Sequence, residues 1–240
     1  MRPRPFRAAF VGAAAATVFG GLTGRDRWQW ATKPLLMPLL AADACYSDAG
    51  LAPRDRRVLL GAFGAATVGD VLLIDPDDDR RLMAGASAFA VMQSGYAALW
   101  WRRGGRPRVS VAAPRVAAWL GAATLLRAKA PNIAAPLTAY GATLATAGVL
   151  ASDPALAPGA KTLAGMPIPS RDPRSRLALG AFLFTVSDGL IVMRRVFART
   201  VCTRRVAEGV ILTTYAAAQY LLSDSRVHVQ PEIGSAGRVF

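Results

Sequence analysis

Asp70 and Asp188 are the residues of this chain best placed to do chemistry. Each is a carboxylate in an otherwise apolar run, and the runs nearly match: Thr67-Val68-Gly69-Asp70-Val71-Leu72 and Thr185-Val186-Ser187-Asp188-Gly189-Leu190. A charge in a segment hydrophobic enough to enter a bilayer costs about 2.5 to 3.5 kcal/mol even on lenient insertion scales. It therefore needs a partner, a wet cavity or a task. Two carboxyl groups that share a pocket away from water divide their protonation, one kept as an acid and the other as a base. Such a pair suits hydrolysis through an oxocarbenium-like state, in which the acid protonates substrate and the base activates water.

Other chemistries find less support. His228 is the sole histidine and sits in a polar stretch near the C-terminus, so neither a Ser-His-Asp triad nor a His-ligated metal is easily built. Cys45 and Cys202 are far apart, lack metal-ligand spacing and read as small hydrophobes rather than a disulfide. Asp75, Asp77, Asp78 and Asp79 could hold a hard cation, but a solvated loop is the simpler reading. No metal and no cofactor is expected.

The elements that must position the aspartates are membrane helices. Of 240 residues, 53% are hydrophobic and 18% charged, and the mean hydropathy of +0.30 is high for a soluble domain of this length. Apolar blocks alternate with short stretches that hold nearly all the Arg, Pro and Asp, which is the layout of spans and loops. The net charge of +14 would suggest nucleic acid in a soluble protein. Here the arginines are spread over many loops without interleaved aromatics and suit orientation and anionic lipid headgroups, so no nucleic-acid partner is expected.

Eight apolar segments can be counted, at 6–22, 28–46, 57–74, 82–101, 114–128, 131–151, 177–197 and 206–222. The expected fold is an all-α polytopic bundle forming one domain over 1–222, followed by a polar tail, 223–240, that is expected to be disordered. The first segment, preceded by Arg2, Arg4 and Arg7, reads as a span rather than a cleaved signal because further spans follow. Trp28, Trp30, Trp100 and Trp101 fall at segment ends, as an interfacial aromatic belt requires. The connection 152–176, rich in Pro and Gly, reads as a loop. With eight spans, the side bearing both termini carries 17 Lys and Arg against 12, which favours cytoplasmic termini in the cell membrane.

The aspartates stand in the third and seventh segments. Four spans separate them, an even number that returns the chain to the same side, so two parallel four-helix repeats would set both carboxylates at one depth. The structural alternative for Asp70 is a span end dipping toward water, given the acidic residues that follow. Asp188 has long apolar flanks on both sides and must face the bundle interior.

Several short motifs now bear on identity. Thr32-Lys33-Pro34 opens the second segment, Val68-Gly69-Asp70 ends the third, Phe89 and Tyr96 lie in the fourth, Phe184 with Ser187-Asp188 in the seventh, and Thr214-Tyr215 with Gln219 in the eighth. In this order and spacing they resemble the YhhN family over almost the whole chain. The resemblance implies a membrane-embedded lysoplasmalogenase, which cleaves the vinyl ether bond of a lysoplasmalogen to a fatty aldehyde and a glycerophospho-ethanolamine or -choline. It implies Asp70 and Asp188 as the acid and base, Lys33 as a phosphate or carboxylate partner, and Tyr215 and Gln219 as polar pocket residues. Gln93, Tyr96 and Tyr140 are added as substrate-binding candidates. Where family members often carry His, this chain has Gln93, which can hydrogen-bond a headgroup or water but does not titrate.

Structural readings stand beside these. Lys33 could snorkel to the interface. Tyr215 and Gln219, at i and i+4, could make an ordinary interhelical hydrogen bond, and Asn132 is a further pocket candidate. The expected partners are a lysophospholipid or ether-lipid substrate and membrane lipids. The competing functions are a non-catalytic lipid-binding protein of the same fold and a carboxylate-based transporter of protons or small solutes.

Overall fold

The computed structural model describes residues 4–47 and 51–224. The expectation of a disordered tail, and His228 with it, falls at 225–240 and lies outside the described residues. Ser223 and Asp224, assigned to that tail by sequence, are buried in the fold.

The chain runs through α1 (Pro5–Thr23), α2 (Asp26–Thr32), a 3-10 turn at Lys33–Leu35, α3 (Leu36–Tyr46), α4 (Pro53–Leu72), α5 (Asp79–Arg102), α6 (Val109–Lys129) and α7 (Pro131–Ala151). A loop follows that carries the two-residue strands β1 (Thr162–Leu163) and β2 (Met166–Pro167), then α8 (Leu177–Phe197) and α9 (Val201–Leu222). Every expected apolar segment is helical, and the fold is an all-α bundle. Five helices, α1, α5, α6, α7 and the one containing α8, are each long and apolar enough to cross a membrane. α4 and α9 have the length but open with charged residues, such as Arg54 to Arg57 and Arg204 to Glu208.

Local sequence explains the boundaries. Proline occupies the first turn of α1, α4 and α7, where its missing N–H costs nothing. Asp78 caps α5 by accepting from the amides of Arg80 and Arg81 at 2.8 and 3.1 Å, and Thr200 opens α9 with a reciprocal capping box to Thr203. The second expected segment is broken where Pro34 cannot donate to the ladder. The fifth, expected at 114–128, is longer, because Pro114 is accommodated inside α6 rather than starting it.

Helix α8 packs on α9, α4 on α5, α5 on α7, and α1 closes against α9 and α3. The core between them holds Leu36, Met37 and Leu40 of α3 with Phe63, Met92, Leu99 and Phe184. One end of the bundle is marked by Arg4 and Asp224, the other by Asp77 and Arg194. α4 and α8 run the same way, since the residues that follow α4 meet the last turn of α8 through an Asp77–Arg194 ion pair at 3.0 Å.

Arg4 and Arg7 converge on Asp43 of α3, Arg7 at 3.0 Å, while Arg4 also reaches Asp224 at 3.0 Å. Asp43 is thus another carboxylate in an apolar run, and it is neutralised by the N-terminal arginines. Trp28, Trp30 and Trp101 are about half exposed, as a belt requires, but Trp100 is 1% exposed and packs on Tyr96. Trp100 belongs to the core.

Candidate active site

Asp70 sits in the last turn of α4 and is 1% exposed. It accepts a hydrogen bond from the Tyr215 hydroxyl of α9 at 2.8 Å. Tyr215 is held edge-on by Phe89 and Phe184, at centroid distances of 5.8 and 5.6 Å. Gly69 makes room for this cluster: a Cβ there would stand 2.7 Å from the Phe89 ring.

Lys33, at the break between α2 and α3, does not snorkel outward. It is 5% exposed and donates from Nζ to the Leu73 carbonyl at 2.8 Å, satisfying the C-terminal end of α4 and setting its charge where it acts on Asp70. Behind Tyr215, Gln219 donates to the tyrosine hydroxyl at 3.4 Å and accepts from Tyr96 at 3.0 Å. Gln219 and Tyr96 are fully buried and support Tyr215 instead of facing a cavity.

Asp188 lies past the middle of α8, where the Tyr140 hydroxyl of α7 donates to it. Gln93 of α5 is buried and its side chain stands beside that hydroxyl. Asn132 is exposed at the start of α7 and takes no part.

Asp70 and Asp188 line one cavity, together with Lys33, Phe89, Phe184 and Tyr215. Its volume of about 40 Å³ has room for about three waters, taking 10–15 Å³ for each. The two carboxylates thus line the same space, each accepting from a tyrosine hydroxyl, with Phe89 and Phe184 on its wall.

Two larger spaces adjoin it. One is apolar, about 250 Å³, between α5, α6, α7 and α8, and shares Leu73, Phe89, Asp188 and Ile191 with the carboxylate cavity. The other is a polar vestibule of about 500 Å³ toward the Asp77 end, sharing Pro76, Arg194 and Glu208. The three spaces form a sequence from charged groups, through two carboxylates, to an aliphatic chamber.

Glu208 is the site residue that sequence reading missed. It is 8% exposed, lines the cavity and faces Arg194 Nε at 3.4 Å. Its signal was available: the chain has only two glutamates, and this one stands at the head of an apolar run. The acidic stretch after α4 is occupied by arginines, with Asp77 meeting Arg194 and Arg204 at 3.0 and 3.1 Å and Asp79 meeting Arg195. Cys45 and Cys202 are free, exposed and at opposite ends of the bundle.

The YhhN family model matches residues 28–226. Comparison with curated proteins and with solved structures gives no match.

Proposed function

The chain belongs to the YhhN family, and from that premise we propose that it is a membrane-embedded ether hydrolase that cleaves the vinyl ether bond of lysoplasmalogens. The observation that carries the reading is the meeting of Asp70 and Asp188 in one small cavity between an aliphatic chamber and a charged vestibule.

One carboxylic acid gives its proton to the outer vinyl carbon, and the double-bond electrons form the new C–H bond. The adjacent carbon becomes an oxocarbenium ion, which a neighbouring carboxylate stabilises. Water adds to that carbon as the second carboxylate takes a proton from it, giving a hemiacetal. The hemiacetal hydroxyl then loses its proton, the bond to the glycerol oxygen breaks, and that oxygen is protonated. The products are a fatty aldehyde and the glycerophospho-headgroup, with one water consumed.

Tyr215 and Tyr140 fix the carboxylates by donating to Asp70 and Asp188. Lys33 balances the charge beside Asp70, and Gln93, Tyr96 and Gln219 act as positioning residues behind the tyrosines. The alkyl chain fits the chamber lined by Leu82, Ala86, Leu126 and Leu144. All eight helical segments cross the cell membrane in this reading, with both termini cytoplasmic.

The test is incubation of the purified protein in detergent with lysoplasmalogens of several headgroups and chain lengths, scoring aldehyde. Wild type releases aldehyde, while Asp70→Asn and Asp188→Asn each lose at least about a hundredfold. No release by wild type from any of the lipids would sink the hydrolase reading. Binding of the same lipids without release would point to the non-catalytic alternative.

A further inference from the structure

The charged vestibule carries a commitment about the headgroup. Four arginines and four carboxylates line it, so its charge is balanced rather than cationic. Part of that balance is internal: Asp77 ties down Arg194 and Arg204, and Arg194 faces Glu208. Among the described residues, no ion pair within 4 Å engages Arg81, Arg205, Asp26 or Asp75, so charges of both signs face one space without a direct ionic partner. Arg205 lies against Gly24, where the backbone has φ of +66° and a Cβ would stand 2.6 Å from the guanidinium. Glycine there serves both the turn and the arginine.

Gln29 supplies an independent observation. It lines the vestibule, is 5% exposed, and its Oε1 is buried without a hydrogen-bond partner. A buried acceptor left unsatisfied costs about 1–3 kcal/mol. A ligand with an N–H to donate would remove that cost.

We propose that this vestibule binds a zwitterionic phospho-headgroup with a primary ammonium, the phosphate on Arg81 and Arg205 and the ammonium on Gln29, Asp26 and Asp75. A phosphate monoanion alone would leave the two carboxylates and Gln29 unanswered. A trimethylammonium group has no N–H for Gln29, and the aromatic face that could attract it, Trp30, already has the Arg81 guanidinium 5.9 Å from its ring centre. The vestibule therefore selects ethanolamine-type over choline-type headgroups. The assignment rests on the hydrolase reading only for the direction in which a substrate lies, headgroup in the vestibule and chain in the aliphatic chamber.

The test is calorimetric titration of the purified full-length protein in detergent with glycerophosphoethanolamine, glycerophosphocholine, ethanolamine and inorganic phosphate. Glycerophosphoethanolamine is expected to bind at least about fivefold tighter than glycerophosphocholine, the value of one recovered hydrogen bond, and tighter than phosphate or ethanolamine alone. Gln29→Leu and Gln29→Met should each erase the preference between the two diesters. Arg205→Gln, on an exposed side chain, should weaken both diesters equally and leave their ratio unchanged.

Equal binding of the two diesters by wild type overturns the proposal. So does a preference that survives both Gln29 substitutions, and so does free phosphate binding as tightly as glycerophosphoethanolamine, which would make the vestibule an anion site. Because the readout is binding, its failure is separable from that of the hydrolase reading. Aldehyde release without headgroup discrimination removes the vestibule assignment alone, and discrimination without release removes the catalytic one alone.

Discussion

Asp70 and Asp188 are fastened by tyrosines from different helices, so each carboxylate can be loosened by itself. Tyr215→Phe removes the donor to Asp70 while keeping the ring between Phe89 and Phe184. A hydrogen bond to a charged group is worth about 1.5–3 kcal/mol, so single-turnover aldehyde release should fall about 10- to 100-fold. The thermal midpoint should move by less than about 4 °C, because the ring packing is retained; a large drop in midpoint with unchanged turnover would remove the positioning role. The aspartates were legible in the sequence because carboxylates are rare and expensive in apolar runs. Their relative enclosure was not: Asp188 looked the more buried by its flanks, yet Asp70 is the more enclosed, covered by Tyr215 and Lys33 from segments remote in the chain. Asp43 met the same criterion and passed unnoticed because its partners, Arg4 and Arg7, precede it by 39 and 36 residues.

Helix α3 carries that third carboxylate as a fastening point. Asp43 and Arg7 are 1% and 4% exposed, and removing one partner of a buried pair costs about 3–5 kcal/mol. Asp43→Ala should therefore lower the thermal midpoint well beyond any shift from Tyr215→Phe, and an unchanged midpoint would show the network to be dispensable. On α7, a Cβ at Gly141 would stand 2.9 Å from the Trp119 ring, whose Nε1 donates to the Thr138 carbonyl at 2.9 Å. Gly141→Val should press the indole into the aliphatic chamber and shorten the longest alkyl chain accepted, read from aldehyde release across a chain-length series.

The 152–176 loop is held by Asp153. Burial alone would raise its carboxyl, but hydrogen bonds from the Ala155 and Arg106 amides and from Arg108 outweigh that and hold it below the usual carboxylate range. A depressed folded value means that the stabilisation is complete above the ordinary carboxylate range and is lost as pH falls through the folded value. Amide exchange in this loop should rise below about pH 4, and Asp153→Asn should remove that step. Helix positions were legible because apolar periodicity and length set them. The break at Lys33-Pro34 had a local signal in the proline, whereas the early start of α6 and the inward turn of Trp100 depend on tertiary neighbours, which no local pattern reports.

For the whole molecule, the two native cysteines are reporters of orientation. Cys45 ends α3 on the face that bears Arg4 and Asp224, Cys202 opens α9 on the vestibule face, and both are exposed. With cytoplasmic termini, a membrane-impermeant maleimide applied to intact cells should label Cys202 and spare Cys45, and the Cys202→Ser variant should stay unlabelled until the membrane is opened. The reverse pattern would invert the topology and turn the vestibule toward the cytoplasm. The opposite face, which bears Cys45, carries a different implication through the clasp of Arg4, Arg7, Asp43 and Asp224. It joins the first helix to the end of the last, α1 to α9, so the bundle is a closed ring of neighbours whose order in space does not depend on where the backbone is cut. A linker from Asp224 to Arg4, with the chain reopened in the 152–176 loop, would leave the tyrosine and carboxylate contacts of the cavity on unbroken helices, which makes this a scaffold open to circular permutation.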